Sequence, residues 1–168
     1  MSHSKSERQT IMTDFIYDMA EQKDIEELIR LRLAYINDDF GNIEETKKEQ
    51  IKNQLSQYYA KHLGKELIVF TARASKKIIA TAYLLIEEKP ANPSFINGLC
   101  GEVLSVITLD EFRGKGICST LIENLTAYCK DHNIKCVTLL ATKDGSSIYK
   151  KHGFVSAEGK YTYMSLHM

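Results

Sequence analysis

Three places in the chain hold residue types that could do chemistry. The first is Arg113-Gly114-Lys115-Gly116-Ile117-Cys118, set between an apolar run over residues 103–109 and an amphipathic run over residues 117–129. Strand, glycine turn and helix in that order make a place for an anion. The first backbone N–H groups of a helix lack intrahelical partners, and the macrodipole puts roughly half a positive charge at that end. Gly114 and Gly116 let the main chain come close to a ligand, while Arg113 and Lys115 add formal charge beside it. The second place is Tyr149, a phenol between the apolar Ile148 and Phe154. The third is Glu102, a carboxylate opening the apolar run, where a strand puts it on one face with Leu104, Val106 and Thr108.

The glycine turn has several possible readings. A Walker A loop places Lys-Ser/Thr after its last glycine, whereas Lys115 precedes Gly116, so a P-loop is excluded. A dinucleotide fingerprint needs G-x-G-x-x-G. Gly114 and Gly116 supply two of those glycines, Ser119 stands at the third, and no acidic residue closes a second strand downstream. The stretch Arg113-Gly-Lys-Gly116-Ile-Cys118 does resemble motif A of the GNAT superfamily of acyl-CoA-dependent N-acetyltransferases, Arg/Gln-x-x-Gly-x-Gly/Ala, with the small Cys118 in the final position. Downstream, Ile148-Tyr149-Lys150-Lys151-His152-Gly153-Phe154 resembles the same superfamily's L-Y-x-x-x-G-F signature.

The resemblance implies acetyl-CoA as donor, a primary amine of a small molecule or peptide as acceptor, and direct transfer within a ternary complex. Its pyrophosphate would lie on the main chain of Arg113, Gly114, Lys115, Gly116, Ile117 and Cys118. The pantetheine arm and thioester oxygen would meet the main chain of Leu104, Val106, Ile107 and Thr108. Tyr149 would protonate the departing thiolate. Glu102 stands where the histone-acetylating branch carries its base, although a water chain serves many members. A base is needed because a lysine-like amine is protonated at neutral pH, about three pH units or ~4 kcal/mol from its nucleophilic form. The two helices that follow the first strand would cover part of the acceptor site, which makes Arg32, Tyr58 and Tyr59 candidates for acceptor binding. An acyl-cysteine route through Cys118 or Cys100 is disfavoured, since no histidine is placed beside either. The alternatives are a catalytically idle acyl-CoA sensor of the same fold and, more remotely, a nucleotide-binding β-α-β domain.

Composition sets the outer bounds. The 168 residues fit one domain on a prior of about 100–200 residues per domain. Lys+Arg and Asp+Glu are both 22, so no basic excess points to nucleic acid, and no large acidic patch invites a polycation. No apolar run approaches the roughly 18 residues of a membrane span. Residues 1–13 are polar, read as a disordered tail, and lack a signal-peptide core, so the expected location is cytoplasmic. The four cysteines form no C-x-x-C pair and the five histidines are scattered, so neither a disulfide framework nor a metal is expected.

The elements that must position these residues follow from periodicity. Residues 15–19 alternate as a first strand. Helices are expected from Ile25 to Ile36 and from about Glu44 to a stop at Gly64. Residues 67–72 and 77–86 read as a hairpin, and 87–98, holding Pro90 and Pro93, as a long loop leading to the central strand and placed to overlie the acceptor cleft. A helix over 117–129, a strand over 135–141, a short helix over 145–152 and a terminal hairpin, 154–155 with 161–166, complete the order. The expected fold is α/β (α+β): a mixed, mostly antiparallel twisted sheet of six to seven strands with helices on both faces, spanning residues 14–168 as a monomer or homodimer.

Overall fold

The computed structural model describes residues 15–157, 159 and 162–168; the expected N-terminal tail lies outside them. The order is β1 (Ile16–Met19), α1 (Ile25–Phe40), α2 (Glu45–His62), β2 (Leu67–Ala74), β3 (Lys77–Glu88), β4 (Leu99–Thr108), α3 (Ile117–Asp131), β5 (Cys136–Leu139) and α4 (Ser146–Lys151). The five strands form one sheet in sequential order. All neighbours are antiparallel except β4 and β5, which α3 joins as a parallel crossover.

Each sheet face owns a core. Leu28, Ile29 and Leu31 of α1 and Leu55 and Tyr59 of α2 pack on Leu67, Val69, Ile78, Tyr83 and Ile107. On the other face, Ile117, Leu121, Ile122, Leu125 and Cys129, apolar at helical spacing, press α3 against Phe70, Ala80, Ala82, Leu84 and Val103. The hairpin between β2 and β3 is tighter than expected. Ser75 and Lys76 both take positive φ, 47° and 71°, so the strands run on to Ala74 paired with Lys77. This mirror-image turn suits strand twist and ordinarily selects Asn-Gly, which is why Ser-Lys gave no signal.

Two irregularities shape the site. Between β2 and β3 the register shifts at Ala72/Arg73, and there α1 fastens itself to the sheet: the Ile78 N–H donates to Glu27 Oε2 at 2.6 Å and Arg30 Nη2 donates to the Ile78 carbonyl at 2.9 Å. Between β3 and β4, Thr81 opposes Ile107 and Tyr83 opposes Leu104, which leaves Ser105 and Val106 facing Ala82 alone. This is a β-bulge, with Ser105 at φ 46° and its carbonyl held by the buried Thr81 hydroxyl at 3.2 Å. The bulge corrects one expectation. Glu102 and Leu104 keep a common face, but Val106 turns to the α3 core while Ile107 joins Leu104, so Glu102, Leu104, Val106 and Thr108 do not form a single row.

Two further expectations change. Five strands are present among the described residues in place of six to seven. The terminal hairpin forms no ladder at residues 154–157 or 162–168, and Glu158 and Tyr161 lie outside the described residues. Met164, Leu166 and Met168 fall at alternate positions but stay exposed, so no core contact sets their register. The 87–98 loop does not overlie the cleft: Asn97 Nδ2 donates to the Asn133 carbonyl at 2.6 Å, tying the loop to the turn before β5 at the opposite end of β4.

Arg73 closes the other side of the sheet. Its Nε donates to Asp18 Oδ2 at 2.8 Å and its Nη2 to Asp24 Oδ2 at 2.9 Å, with Asp24 buried. Burial by itself would raise the Asp24 pKa, but hydrogen bonds from Arg73 and the Glu21 N–H outweigh it and hold the carboxyl below its ordinary value. A carboxyl depressed in the folded state stabilises above the unfolded pKa of about 3.9 and loses that contribution as pH falls through the folded value. Asp24→Asn is expected to lower stability by roughly 3 kcal/mol at pH 7, with the gap to wild type shrinking below about pH 4. Urea denaturation at pH 7 and pH 3 reads both quantities.

Candidate active site

β5 pairs with β4 only from Cys100–Cys136 to Val103–Leu139. Past Val103 the strands part, and the β4 edge from Leu104 to Thr108 faces a gap rather than a neighbour. A cavity of about 700 Å³ occupies it, lined by Val106, Ile107 and Thr108 of β4, Gly114 to Ser119 apart from Lys115, and Thr142, Gly145 and Ile148 beyond β5. No side chain caps α3. Its N-cap, Gly116, takes φ 77°, and the first intrahelical bond runs from the Thr120 N–H to the Gly116 carbonyl, so the amides of Ile117, Cys118 and Ser119 lie at the uncapped end. Gly114 also has positive φ, and a Cβ added at either glycine would meet nothing within 4 Å, so conformation rather than crowding selects glycine here.

The two cations of the turn play different parts. Arg113 is a strut: its Nε donates to the Thr108 carbonyl at 2.9 Å, and its Nη2 meets Asp110 Oδ1 at 2.9 Å and Asp38 Oδ2 at 3.3 Å, joining the end of β4, the turn and the end of α1. Lys115 is exposed, its Nζ 5.1 Å from the Phe112 ring centroid.

A second cavity of about 380 Å³ continues from the first and shares Tyr35, Asp39, Val106, Cys118 and Ile148 with it. Glu102, Tyr149 and Arg32 all line it. Tyr149 packs edge-to-face on Phe154 with centroids 5.9 Å apart. Burial, with Cys118 and Tyr35 nearby, pushes its hydroxyl up to about 12. Burial also raises the Cys118 thiol, opposite to what a nucleophilic cysteine needs. α4 is held in place from α3: the Ser119 hydroxyl and His152 Nε2 share a hydrogen bond of 2.7 Å, and Gly153, at φ 87°, lets the Phe154 N–H return to the Tyr149 carbonyl. Sequence reading missed this Ser119–His152 clasp; the glycine after His152 marked the helix end, not its tether.

A third recess, about 190 Å³, opens beside the second and shares Arg32, Leu104 and Ser105 with it. Tyr58 and Tyr59 line it together, as does Tyr83, which the sequence did not single out. Tyr59 and Tyr83 are buried with hydroxyls 2.8 Å apart. Burial pushes Tyr59 up to about 12 and Tyr83 further, so both keep their protons. Among the described residues, no group of three or more His, Cys, Asp or Glu side chains could hold a metal, and no helix is long and apolar enough to cross a membrane.

A mixed sheet whose one parallel pair parts over the start of a glycine-led helix defines an acetyltransferase scaffold. The chain belongs to the acetyltransferase (GNAT) family, whose model matches residues 30–154. Its fold is that of a predicted acetyltransferase from Clostridium acetobutylicum solved with acetyl-CoA, with TM-score 0.76, 24% identity, and 90% of this chain and 96% of that one covered. A GCN5-related N-acetyltransferase from Ralstonia eutropha JMP134 matches with TM-score 0.72 and 19% identity over 90% and 99% of the two chains. Glucosamine-6-phosphate N-acetyltransferase from Arabidopsis thaliana matches with TM-score 0.65 and 19% identity over 90% and 98%. Among proteins of curated function, none matches the sequence significantly.

The raised Cys118 thiol has a direct consequence. At pH 8 iodoacetamide should modify Cys118 more slowly than free cysteine, read by mass spectrometry of the peptide. Modification faster than free cysteine would mean an activated thiol.

Proposed function

We infer that the protein transfers an acetyl group from acetyl-CoA to a primary amine by direct attack within a ternary complex. One observation carries the reading: the unpaired β4 edge and the uncapped start of α3 border one cavity, and it shares walls with the adjoining cavity lined by Tyr149 and Glu102. These groups fit the cofactor's chemistry, since main-chain donors suit a pyrophosphate and an extended amide-bearing arm. Acetyl-CoA supplies an activated acyl carbon on a thiol leaving group.

The residues of this chain do the rest. The main chain of Gly114, Gly116, Ile117 and Cys118 receives the phosphates, with Lys115 adding charge from outside the cavity and Arg113 bracing the turn. Leu104, Val106, Ile107 and Thr108 offer their main chain to the arm and the thioester oxygen, a fixed-dipole contact that gains strength as negative charge develops. Tyr149 carries the proton for the departing thiolate. A phenol raised to about 12 stays protonated throughout the working range, so its hydroxyl is in place to donate to the thiolate as the C–S bond breaks. Full transfer to a group of pKa about 8.5 runs uphill, and the tyrosine must regain its proton from water. Glu102, in the same cavity, takes the proton from the acceptor ammonium. Arg32, Tyr58 and Tyr59 wall the acceptor side.

Tyr149→Phe is expected to lower turnover at least about tenfold while acetyl-CoA affinity changes less than about twofold, since only the hydroxyl is removed. Glu102→Gln should lower kcat/KM at pH 7 and recover toward pH 10, where the amine loses its own proton unaided. Release of CoA thiol from acetyl-CoA in the presence of amines measures both.

A further inference from the structure

The recess beside Glu102 holds a cation, Arg32, that makes no ion pair among the described residues. Arg32 is half-buried on the core-facing side of α1, its guanidinium carbon 5.0 Å from the Tyr35 ring centroid. A guanidinium drawn back from water without an anion is an incomplete arrangement. It is also the one charged residue lining the 190 Å³ recess, whose other polar groups are Gln54, Tyr58, Tyr59, Tyr83 and Ser105.

Hydrogen-bonding capacity points the same way. Tyr59 and Tyr83 keep two protons between them and use one in their mutual bond, so one hydroxyl proton is left to donate. The Ser105 hydroxyl is fully buried with no partner among the described residues, and Ser105 itself is 5% exposed. The bulge puts it there, and its carbonyl is taken by Thr81. Guanidinium, phenol and serine thus bring donors to a space with few acceptors. The species that completes such a set accepts only, carries one negative charge and is small.

We propose that the acceptor is a small amino-carboxylate, an amino acid or close analogue, whose carboxylate binds Arg32 in the Tyr59–Tyr83–Ser105 recess. This rests on the acetyl-transfer reading and names the substrate class of that site. The ammonium then lies toward Glu102 and Asp39, the two carboxylates lining the adjoining cavity, which gives a zwitterion complementary charge at both ends. A doubly charged phosphate would bring more charge than one guanidinium balances, and the recess is small against the ~300 Å³ at which ligand pockets usually begin.

The test compares amino acids with their carboxamides and their decarboxylated amines, alongside phosphoethanolamine. It uses wild type, Arg32→Gln and Ser105→Ala, each first checked for a normal melting temperature. CoA-thiol release gives kcat/KM, and calorimetry on the CoA-saturated protein gives binding independent of turnover. The carboxylated member of each pair should be preferred by about 10- to 100-fold, the value of a charge-assisted contact, and Arg32→Gln should reduce the ratio to within about threefold. Ser105→Ala should weaken carboxylate binding a few-fold by the same logic. Turnover of decarboxylated amines in preference to amino acids would overturn the proposal and leave acetyl transfer standing. So would a phosphoethanolamine preference, or a carboxylate preference that survives Arg32→Gln. Arg32-dependent binding of amino acids without turnover would support the recess and remove the acetyl-transfer reading, while neither binding nor turnover would remove both.

Discussion

The site depends on the departure of β4 from β5 after Val103. A strand in mid-sheet normally has both edges paired, and leaving several main-chain groups unpaired next to a core is unfavourable unless a ligand or water meets them. Three features hold the gap open. The Ser105 bulge, fixed by Thr81, adds a residue to β4 and turns the strand relative to β3. β5 ends at Leu139, and Thr142 receives the start of α4 through the Gly145 N–H at 3.0 Å. The Ser119–His152 bond then keeps α4 against α3, so Tyr149 stands over the gap rather than closing it.

Charge is distributed to the same end. Most ionic groups near the sheet are satisfied within the protein: Arg73 by Asp18 and Asp24, Arg30 beside Glu27, Arg113 by Asp38 and Asp110. The first pair is sealed into the structure and stabilises it, and Arg113 holds the glycine turn in position for the helix start. Arg32 is the exception on α1. The same helix thus fastens the sheet through Glu27 and Arg30 and presents Arg32 and Asp39 to the cavities one and three turns further on.

Much of this was legible in the sequence because the signals are local. Gly114 and Gly116 both adopt the left-handed conformation that no other residue type takes readily, and Gly153 ends α4 as its position implied. Helix spacing in residues 117–129 gave the α3 core face, and Arg32, on an apolar stripe, lines the two smaller cavities. What stayed hidden depends on partners distant in sequence. The bulge at Ser105 has no sequence signature, yet it moves Val106 and Thr108 off the face shared by Glu102 and Leu104. Tyr83 gains meaning only when Tyr59 arrives from another element, and the tie from Arg113 to Asp38 joins residues far apart in sequence. The terminal hairpin was inferred from β-prone residues, but Met164, Leu166 and Met168 stay exposed, with no core to set their register.

The central claim is that β4 and α3 jointly hold the acyl donor through their main chains, and amide hydrogen exchange with and without acetyl-CoA addresses it most directly. Slowed exchange confined chiefly to residues 104–108 and 116–119, with the paired β2–β3 hairpin unchanged, is the result expected. Binding accompanied by protection elsewhere, with those two stretches exchanging as fast as in the free protein, would contradict it.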